Sequence, residues 1–147
     1  MLYSDKFEVV PPGMANGEAK RILIIEDDPL LREVLVKNLS KAGFLVSAAV
    51  DGEEALAKLK EVAPALILLD LIIPRIDGFE VLQRIKADPS LAAIPVLILS
   101  NLGSNEDFRR GNALGAAGYM VKASTTPEEI INRVRQLSET GGPRGRG

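Results

Sequence analysis

Six polar side chains stand directly after short aliphatic runs, and their residue types could hold a metal ion and an anion together. They are Glu26, Asp27, Asp28, Asp70, Ser100 and Lys122. Two carboxylates about 5 Å apart repel by roughly 3 kcal/mol at an effective dielectric constant near 20, so three or four of them in one place require a cation or a proton. A hydroxyl and an ammonium beside the carboxylates would serve an anion.

The residue types that are missing narrow this chemistry further. The 147-residue chain contains neither histidine nor cysteine, which excludes disulfides, thiolate nucleophiles, a Ser-His-Asp triad and the usual zinc sites. Oxygen-only ligands suit magnesium or calcium, and a site with few protein ligands favours magnesium. Together with a lysine, a hydroxyl and a free carboxylate, such a site has what a phosphoryl group needs on arrival at a carboxylate oxygen.

Alternating strand and helix patterns must position these side chains. Continuous aliphatic runs predict strands, and apolar residues at helical spacing predict helices. The predicted strands span residues 21–25, 44–49, 65–69, 95–100 and 118–121. The first helix begins at Pro29 and stops before Gly43, and the others span residues 51–62, 78–87, 104–114 and 127–137.

This alternation predicts an α/β fold, a doubly wound five-stranded parallel sheet with five helices on its two faces. In such sheets the ligand site lies at the carboxyl ends of the strands, near the switch in strand order. The polar side chains stand at those ends. A polar residue commonly ends a strand, so Ser100 alone would indicate little, but the whole set predicts a site.

One domain is predicted, over residues 20–138. Proline, glycine and asparagine interrupt residues 1–19, which predicts a flexible arm, and residues 139–147 predict a flexible tail. So few residues follow the last helix that we expect no output domain. The protein should then act through protein contacts, either alone or as a fragment.

Localisation and charge give further expectations. The first 20 residues lack the apolar core of a signal peptide, and the longest apolar runs reach about eight residues, well short of the roughly 18 needed to cross a bilayer. The net charge is −2, which is not the footprint of a nucleic-acid-binding surface. These features predict a cytoplasmic protein with no membrane contact and no direct nucleic-acid contact.

Four segments resemble the receiver domain of two-component response regulators, the CheY-like domains. They are ILIIEDDP at 22–29, LILLDLIIPRIDG at 66–78, IPVLILS at 94–100 and GYMVK at 118–122. They come in the family's order at similar separations, and the resemblance spans residues 20–138. It implies a flavodoxin-like receiver fold and a signalling domain that is not an enzyme beyond its own phosphorylation and dephosphorylation.

The resemblance implies a role for each acidic residue. Asp70 would be the phosphoacceptor. Glu26 and Asp27 would hold Mg²⁺ together with Asp70, Asp27 most directly, and the backbone carbonyl of Ile72 would complete the protein ligands. Ile72 also lies beside the attack path, as does Leu102, and neither side chain could orient a hydrolytic water, so we expect a long-lived phosphorylated form.

The remaining site residues are implied in the same way. Ser100 would be the hydroxyl of the switch, Lys122 the lysine that contacts the phosphate, and Tyr119 the aromatic whose rotation reports phosphorylation. The family usually has proline after this lysine, in a cis peptide, whereas Ala123 follows Lys122. Because a cis bond before a non-proline residue costs about 3 kcal/mol, this loop either stores strain or takes a different path.

The implied partners are a sensor histidine kinase or a phosphotransfer protein as donor, a downstream effector protein, and a second copy in a phosphorylation-dependent homodimer. Since the chain has no histidine, it can only receive a phosphoryl group from elsewhere.

The segment 104–114 is the expected two-state element, because Gly111 and Asn112 weaken it as a helix. Its plainer interpretation is a poorly capped surface helix. Exposed basic residues could form a docking surface or simply a solvated face: Arg109, Arg110, Arg133 and Arg135.

Three other functions remain open at this point. The first is a degenerate receiver that acts as a phosphorylation-independent interaction module, which Ala123 favours. The second is a haloacid-dehalogenase-like phosphatase, which would require a second aspartate where Ile72 stands. The third is a flavodoxin-like cofactor binder, in which the acidic run after the first strand would repel a phosphate.

Overall fold

The computed structural model describes residues 19–140, and within them the chain forms one five-stranded parallel sheet flanked by five helices. The strands are β1 (Arg21–Ile25), β2 (Leu45–Ala49), β3 (Leu66–Leu69), β4 (Val96–Ser100) and β5 (Gly118–Val121). The helices are α1 (Pro29–Lys41), α2 (Gly52–Glu61), α3 (Gly78–Ala87), α4 (Asn105–Ala113) and α5 (Pro127–Thr140). The predicted fold class is confirmed.

Parts of the predicted domain organisation lie outside the described residues. These parts are the arm over residues 1–18 and the tail over residues 141–147. Helix α5 continues to Thr140, so residues 139 and 140, which were expected to begin the tail, are helical. The apolar pattern ends at Leu137, and hydrogen bonding carries the helix one turn past the last residue that this pattern could mark.

The order of the strands in the sheet is β2-β1-β3-β4-β5. The chain therefore moves from β1 outward to β2, and then returns past β1 to build β3, β4 and β5 on the other side. The loops that follow β1 and β3 leave toward opposite faces of the sheet, which opens a crevice between them. Register brings their ends level, because Ile25 pairs with Leu69.

The core lies on both faces of this sheet. Alternate residues of β1 point to opposite sides: Ile22 and Ile24 belong to one buried cluster, and Leu23 and Ile25 to the other. The first cluster contains residues of α1 and α5, and the second contains residues of α2 and α3. Burial on both faces is the reason that most positions of these strands are apolar.

Helix α4 differs from one expectation. Ser104 accepts a hydrogen bond from the Asp107 backbone N–H, and the Asp107 side chain accepts from the Ser104 N–H, which completes a capping box. Gly111 is the buried residue of the helix, and a Cβ there would lie 3.0 Å from Ile98 and 3.3 Å from Tyr119. The interpretation of α4 as poorly capped is therefore wrong, and its glycine allows close packing on the sheet.

Candidate functional site

Two acidic residues continue the ends of adjacent strands and are almost fully buried. The Glu26 backbone N–H donates to the Ala49 carbonyl at 3.0 Å, and the Asp70 N–H donates to the Ile25 carbonyl at 3.0 Å. Glu26 is 2% exposed and Asp70 is 4% exposed. Strand register thus places two buried carboxylates side by side, as the sequence predicted for the carboxyl edge of the sheet.

Lys122 bridges these two carboxylates from the end of β5. Its ammonium lies 2.8 Å from Asp70 Oδ2 and 3.0 Å from Glu26 Oε1. The lysine side chain is 18% exposed. One ammonium therefore faces two buried carboxyl groups, which outnumber it.

The pKa values of these groups reflect that imbalance. Burial raises the pKa of the Glu26 carboxyl to about 7, and the charge of Asp70 adds to the rise, while the hydrogen bond from Lys122 opposes it. Burial works to lower the pKa of the Lys122 ammonium, but its bonds to Asp70 and Glu26 outweigh this effect and raise it overall. The lysine therefore stays charged at neutral pH, and the carboxylates attract a further cation.

Asp27 supplies the third carboxylate. Carboxylate oxygens of Glu26, Asp27 and Asp70 all lie within 4.8 Å of one another, and Asp27 is exposed to solvent. Asp28 takes a different role, because its side chain accepts a hydrogen bond from the Leu30 N–H at 3.0 Å and caps α1. Of the four candidate carboxylates, three converge and the fourth is structural. We call Glu26, Asp27, Asp70 and Lys122 the acidic pocket.

The donor set of the acidic pocket fits Mg²⁺. Its three carboxylates offer only oxygen ligands, and one of them opens to solvent, where a metal could keep the waters that magnesium retains. The Ile72 backbone N–H donates to Asp70 Oδ1 at 3.1 Å, so the Ile72 backbone lies at the pocket. The Ile72 side chain is 55% exposed. Its carbonyl as a metal ligand stays a prediction.

The side chains of Ser100 and Tyr119 both form hydrogen bonds to the backbone of Leu102, in the loop that follows β4. The fully buried Ser100 hydroxyl accepts a hydrogen bond from the Leu102 N–H at 3.3 Å. The Tyr119 hydroxyl donates to the Leu102 carbonyl at 2.5 Å. The Tyr119 ring packs edge-on against Phe108 of α4, with centroids 4.6 Å apart. Leu102 thus links the hydroxyl, the aromatic ring and α4.

The loop that follows Lys122 takes a path of its own. Every peptide bond within residues 19–140 is trans, and Lys122–Ser124 form a single 3-10 turn. Of the two expectations for Ala123, the different path is therefore correct. The Ala123 N–H, which a proline would lack, donates to Asn101 Oδ1 at 3.1 Å.

Sequence reasoning missed two residues that shape the site. A Cβ on Gly78 would lie 2.4 Å from the Leu71 Cα, so the loop after Asp70 can approach α3 this closely only through glycine. The Asp77-Gly78 pair at a predicted helix start was the available signal. Asn101 was also missed, and no local pattern marks it, because its partner is 22 residues away in the chain.

The four arginines proposed for docking do not all face solvent without partners. The Arg110 guanidinium lies 4.1 Å from the centroid of the Phe79 ring, and Arg135 donates to the Ala42 carbonyl at 3.2 Å. These two side chains therefore serve packing within the domain.

None of the helices in the described part of the chain is long and apolar enough to cross a membrane.

Comparison with known proteins decides the family. The family model of the response regulator receiver domain matches residues 22–135. The chain belongs to the response regulator receiver family. Membership sets aside the phosphatase and the cofactor-binding alternatives, and it makes this receiver domain a signalling domain of two-component systems.

Individual relatives agree with this assignment. The DNA-binding dual master transcriptional regulator RpaA of Synechocystis is 44% identical over 117 residues, which cover 80% of this chain and 48% of that protein. Among solved structures, the phosphorylated cyanobacterial phytochrome response regulator RcpA has a TM-score of 0.71 at 32% identity, covering 82% of this chain and 92% of that one. The Francisella response regulator 1452 receiver domain has a TM-score of 0.76 at 28% identity, covering 82% and 97%.

The relatives also bear on the scope of the predictions. This receiver domain spans about half the length of the Synechocystis regulator, which is described as DNA-binding. The expected absence of nucleic-acid contact therefore applies to the domain alone and stays a prediction.

Proposed function

We propose that this receiver domain accepts a phosphoryl group on a carboxylate oxygen of Asp70 and that the resulting acylphosphate controls a protein contact. The observation that carries the proposal is the buried Asp70 carboxylate, held 2.8 Å from the Lys122 ammonium and within 4.8 Å of two further carboxylates. A carboxylate with a lysine and a metal-ligand set around it is equipped for phosphoryl transfer.

The donor is a phosphohistidine on a sensor histidine kinase or a phosphotransfer protein, which meets this domain in the cytoplasm, or a small phosphodonor. The bond between phosphorus and the donor breaks as the bond between phosphorus and an Asp70 oxygen forms, and a histidine donor leaves as the imidazole after taking a proton. Mg²⁺ held by Glu26, Asp27 and Asp70 would supply positive charge to the phosphoryl oxygens. These 147 residues contain no histidine, so a phosphohistidine donor lies outside them.

Lys122 holds Asp70 before transfer and the phosphoryl group after it. In the unmodified domain its ammonium pairs with Asp70 Oδ2. Once the acylphosphate forms, the Asp70 carboxylate loses its negative charge, and the phosphoryl oxygens carry negative charge instead. The Lys122 ammonium then pairs with those oxygens. Its raised pKa keeps it protonated throughout.

Ser100 and Tyr119 connect the phosphorylation of Asp70 to the surface of the domain at α4. The Ser100 oxygen already accepts from Leu102, so its hydrogen is available to a phosphoryl oxygen. A shift of the hydroxyl toward the phosphoryl group disturbs Leu102, whose carbonyl holds the Tyr119 hydroxyl. Because Phe108 packs on the Tyr119 ring, α4 is the element that responds. The effector, or a second copy of the domain, would read that surface.

Labelling by acetyl phosphate and Mg²⁺ tests the proposal. We expect one phosphoryl group per chain in the unmodified sequence and none in Asp70→Asn, which keeps the shape of the side chain but removes the nucleophile. Asp77→Asn is the matched control, because Asp77 is an exposed aspartate of the same loop whose side chain makes no capping bond. Phosphorylation of Asp70→Asn at the level of the control would refute the proposal.

A second candidate, a phosphorylation-independent interaction module, has two observations in its favour. Lys122 already pairs with both buried carboxylates, and its loop lacks the proline of the family. Beryllofluoride with Mg²⁺ separates the two candidates. A phosphoacceptor should gain heat stability or change oligomeric state on addition, whereas an interaction module should do neither.

A further inference from the structure

The loop that carries Lys122 is tied to the neighbouring strand by a side chain rather than by the strand ladder. Strands β4 and β5 pair up to Ser100 and Val121. Beyond that pair the ladder ends, and the Asn101 carboxamide takes over by accepting the Ala123 N–H at 3.1 Å. Asn101 directly follows the hydroxyl residue, and Ala123 directly follows the lysine.

The other bonds of this loop are local. The Thr125 hydroxyl donates to the Val121 carbonyl at 2.6 Å, and the Thr125 N–H donates to the Lys122 carbonyl at 3.3 Å. Such bonds shape the turn but do not fix it relative to the sheet. The bond from Ala123 to Asn101 does, because it joins two segments separated by 22 positions in the chain.

Lys122 is therefore held from both sides. Val121 is fixed by the β4–β5 ladder, and Ala123 is fixed by Asn101. The backbone between them is the base from which the ammonium reaches Asp70 at 2.8 Å and Glu26 at 3.0 Å. A long lysine side chain has many rotamers, so the position of its base decides where its charge can rest.

We propose that Asn101 is a positioning residue, which holds the Lys122 loop through the Ala123 N–H and thereby sets the lysine for phosphoryl transfer to Asp70. The inference rests on the proposed function. It also accounts for a residue other than proline at position 123: with proline there, the N–H would be lost and Asn101 would have no backbone donor at that position.

Asn101→Ala tests the inference. The initial rate of Asp70 phosphorylation by acetyl phosphate should fall about three- to tenfold, the range expected for the loss of one hydrogen bond. The affinity for Mg²⁺, measured by calorimetric titration, should stay the same, because the three converging carboxylates are untouched. A merely structural role would instead lower the midpoint of thermal unfolding while leaving the rate intact.

Ser124→Ala is the matched control. Ser124 is an exposed residue of the same loop, and its hydroxyl donates locally, to the Val121 carbonyl three positions earlier, at 3.4 Å. Its rate should equal that of the unmodified domain. A rate for Asn101→Ala equal to that of Ser124→Ala overturns the inference.

A double-mutant cycle assigns the loss to the bond itself. Ala123→Pro removes the donor, so adding Asn101→Ala to it should cause no further loss of rate. An equal fold loss in both backgrounds overturns the inference. Hydrogen exchange gives a readout without phosphorylation: the Ala123 amide should exchange faster in Asn101→Ala, and equal exchange rates also overturn it.

Failure of the proposed function has a distinct outcome. If the unmodified domain takes no label while its Ala123 amide is protected, phosphoryl acceptance fails and the role of Asn101 in transfer fails with it. If the unmodified domain is labelled and Asn101→Ala is labelled at the same rate, only the inference about Asn101 fails.

Discussion

The two edges of the sheet use lysine in opposite ways. At the carboxyl edge, Lys122 bridges two buried carboxylates at 2.8 and 3.0 Å. At the amino edge, Lys20 donates to the Ser138 carbonyl in the last turn of α5 at 2.8 Å, beside an open cavity of about 170 Å³. Lys122 neutralises formal charge in a buried site, whereas Lys20 meets the partial charge of a helix end near water.

The surroundings of these two lysines explain why only Lys122 is placed to take part in a reaction. Helix C-termini carry partial negative charge that any nearby cation stabilises, and solvent screens the interaction. In the acidic pocket, Glu26, Asp70 and Lys122 are largely buried, and electrostatic interactions are stronger there than in water. The carboxylates of the pocket outnumber its lysine. Residue type alone does not separate the two lysines; burial and the chemistry of the partners do.

The largest expected effect comes from removing each lysine in turn. Lys122→Ala should lower the initial rate of phosphorylation about a hundredfold, because the ammonium is aimed at charge on the phosphoryl group. Lys20→Ala should leave the rate unchanged. Acetyl phosphate labelling measures both variants. Similar rates for the two variants would break the contrast between the edges.

Glycines at the two edges should differ in stability by a smaller amount. A Cβ on Gly78, at the carboxyl edge, would collide with Leu71 backbone, so Gly78→Ala should destabilise the domain by about 2 kcal/mol. Gly43, at the amino edge, has a φ of +106° and open space around it, so Gly43→Ala should cost only about 1 kcal/mol of backbone strain. Urea unfolding measures both, and the reverse ranking would contradict the close approach at Gly78.

Substitution of two adjacent aspartates, Asp27 and Asp28, tests which carboxylates at the carboxyl edge bind Mg²⁺. Asp27→Asn should weaken Mg²⁺ binding about tenfold, since it removes a charged ligand. Asp28→Asn should leave Mg²⁺ affinity unchanged, because asparagine caps a helix as well as aspartate does. Calorimetric titration distinguishes them. Equal losses in the two variants would place Asp28 in the acidic pocket and contradict its role as a cap.

The smallest effect concerns Tyr119, near the carboxyl edge. Burial raises the pKa of its hydroxyl to about 12, and the charges of Asp107 and Asp70 add to the rise. The folded state therefore keeps this proton where the unfolded chain, with a pKa of about 10, loses it. Stability from this group is full below pH 10 and is lost as the pH rises from 10 to 12.

Absorbance at 295 nm checks this prediction. The titration of the unmodified chain minus that of Tyr119→Phe isolates the Tyr119 hydroxyl, and its midpoint should lie near 12. A difference curve centred near pH 10 would show that the hydroxyl titrates as it does in water, and would contradict the effect of its burial and of the Asp107 and Asp70 charges.

Much of the fold and the main site residues could be predicted from the sequence. Strands buried on both faces must be apolar at each position, so aliphatic runs such as Ile22–Ile25 predict them directly. Parallel strands also share one carboxyl edge, so polar residues after those runs must converge. The positions of Glu26, Asp70 and Lys122 follow from those two rules.

Other features were decided only by the tertiary structure. Asp27 and Asp28 are adjacent residues of the same type, yet Asp27 belongs to the acidic pocket and Asp28 caps α1. The bond from Ala123 to Asn101 crosses 22 positions, and the contact between Gly78 and Leu71 depends on the path of the loop between them. The physical reason is common to all three: local patterns record which surface a residue buries, whereas the aim of a side chain depends on backbone direction and on partners that only the folded chain brings within reach.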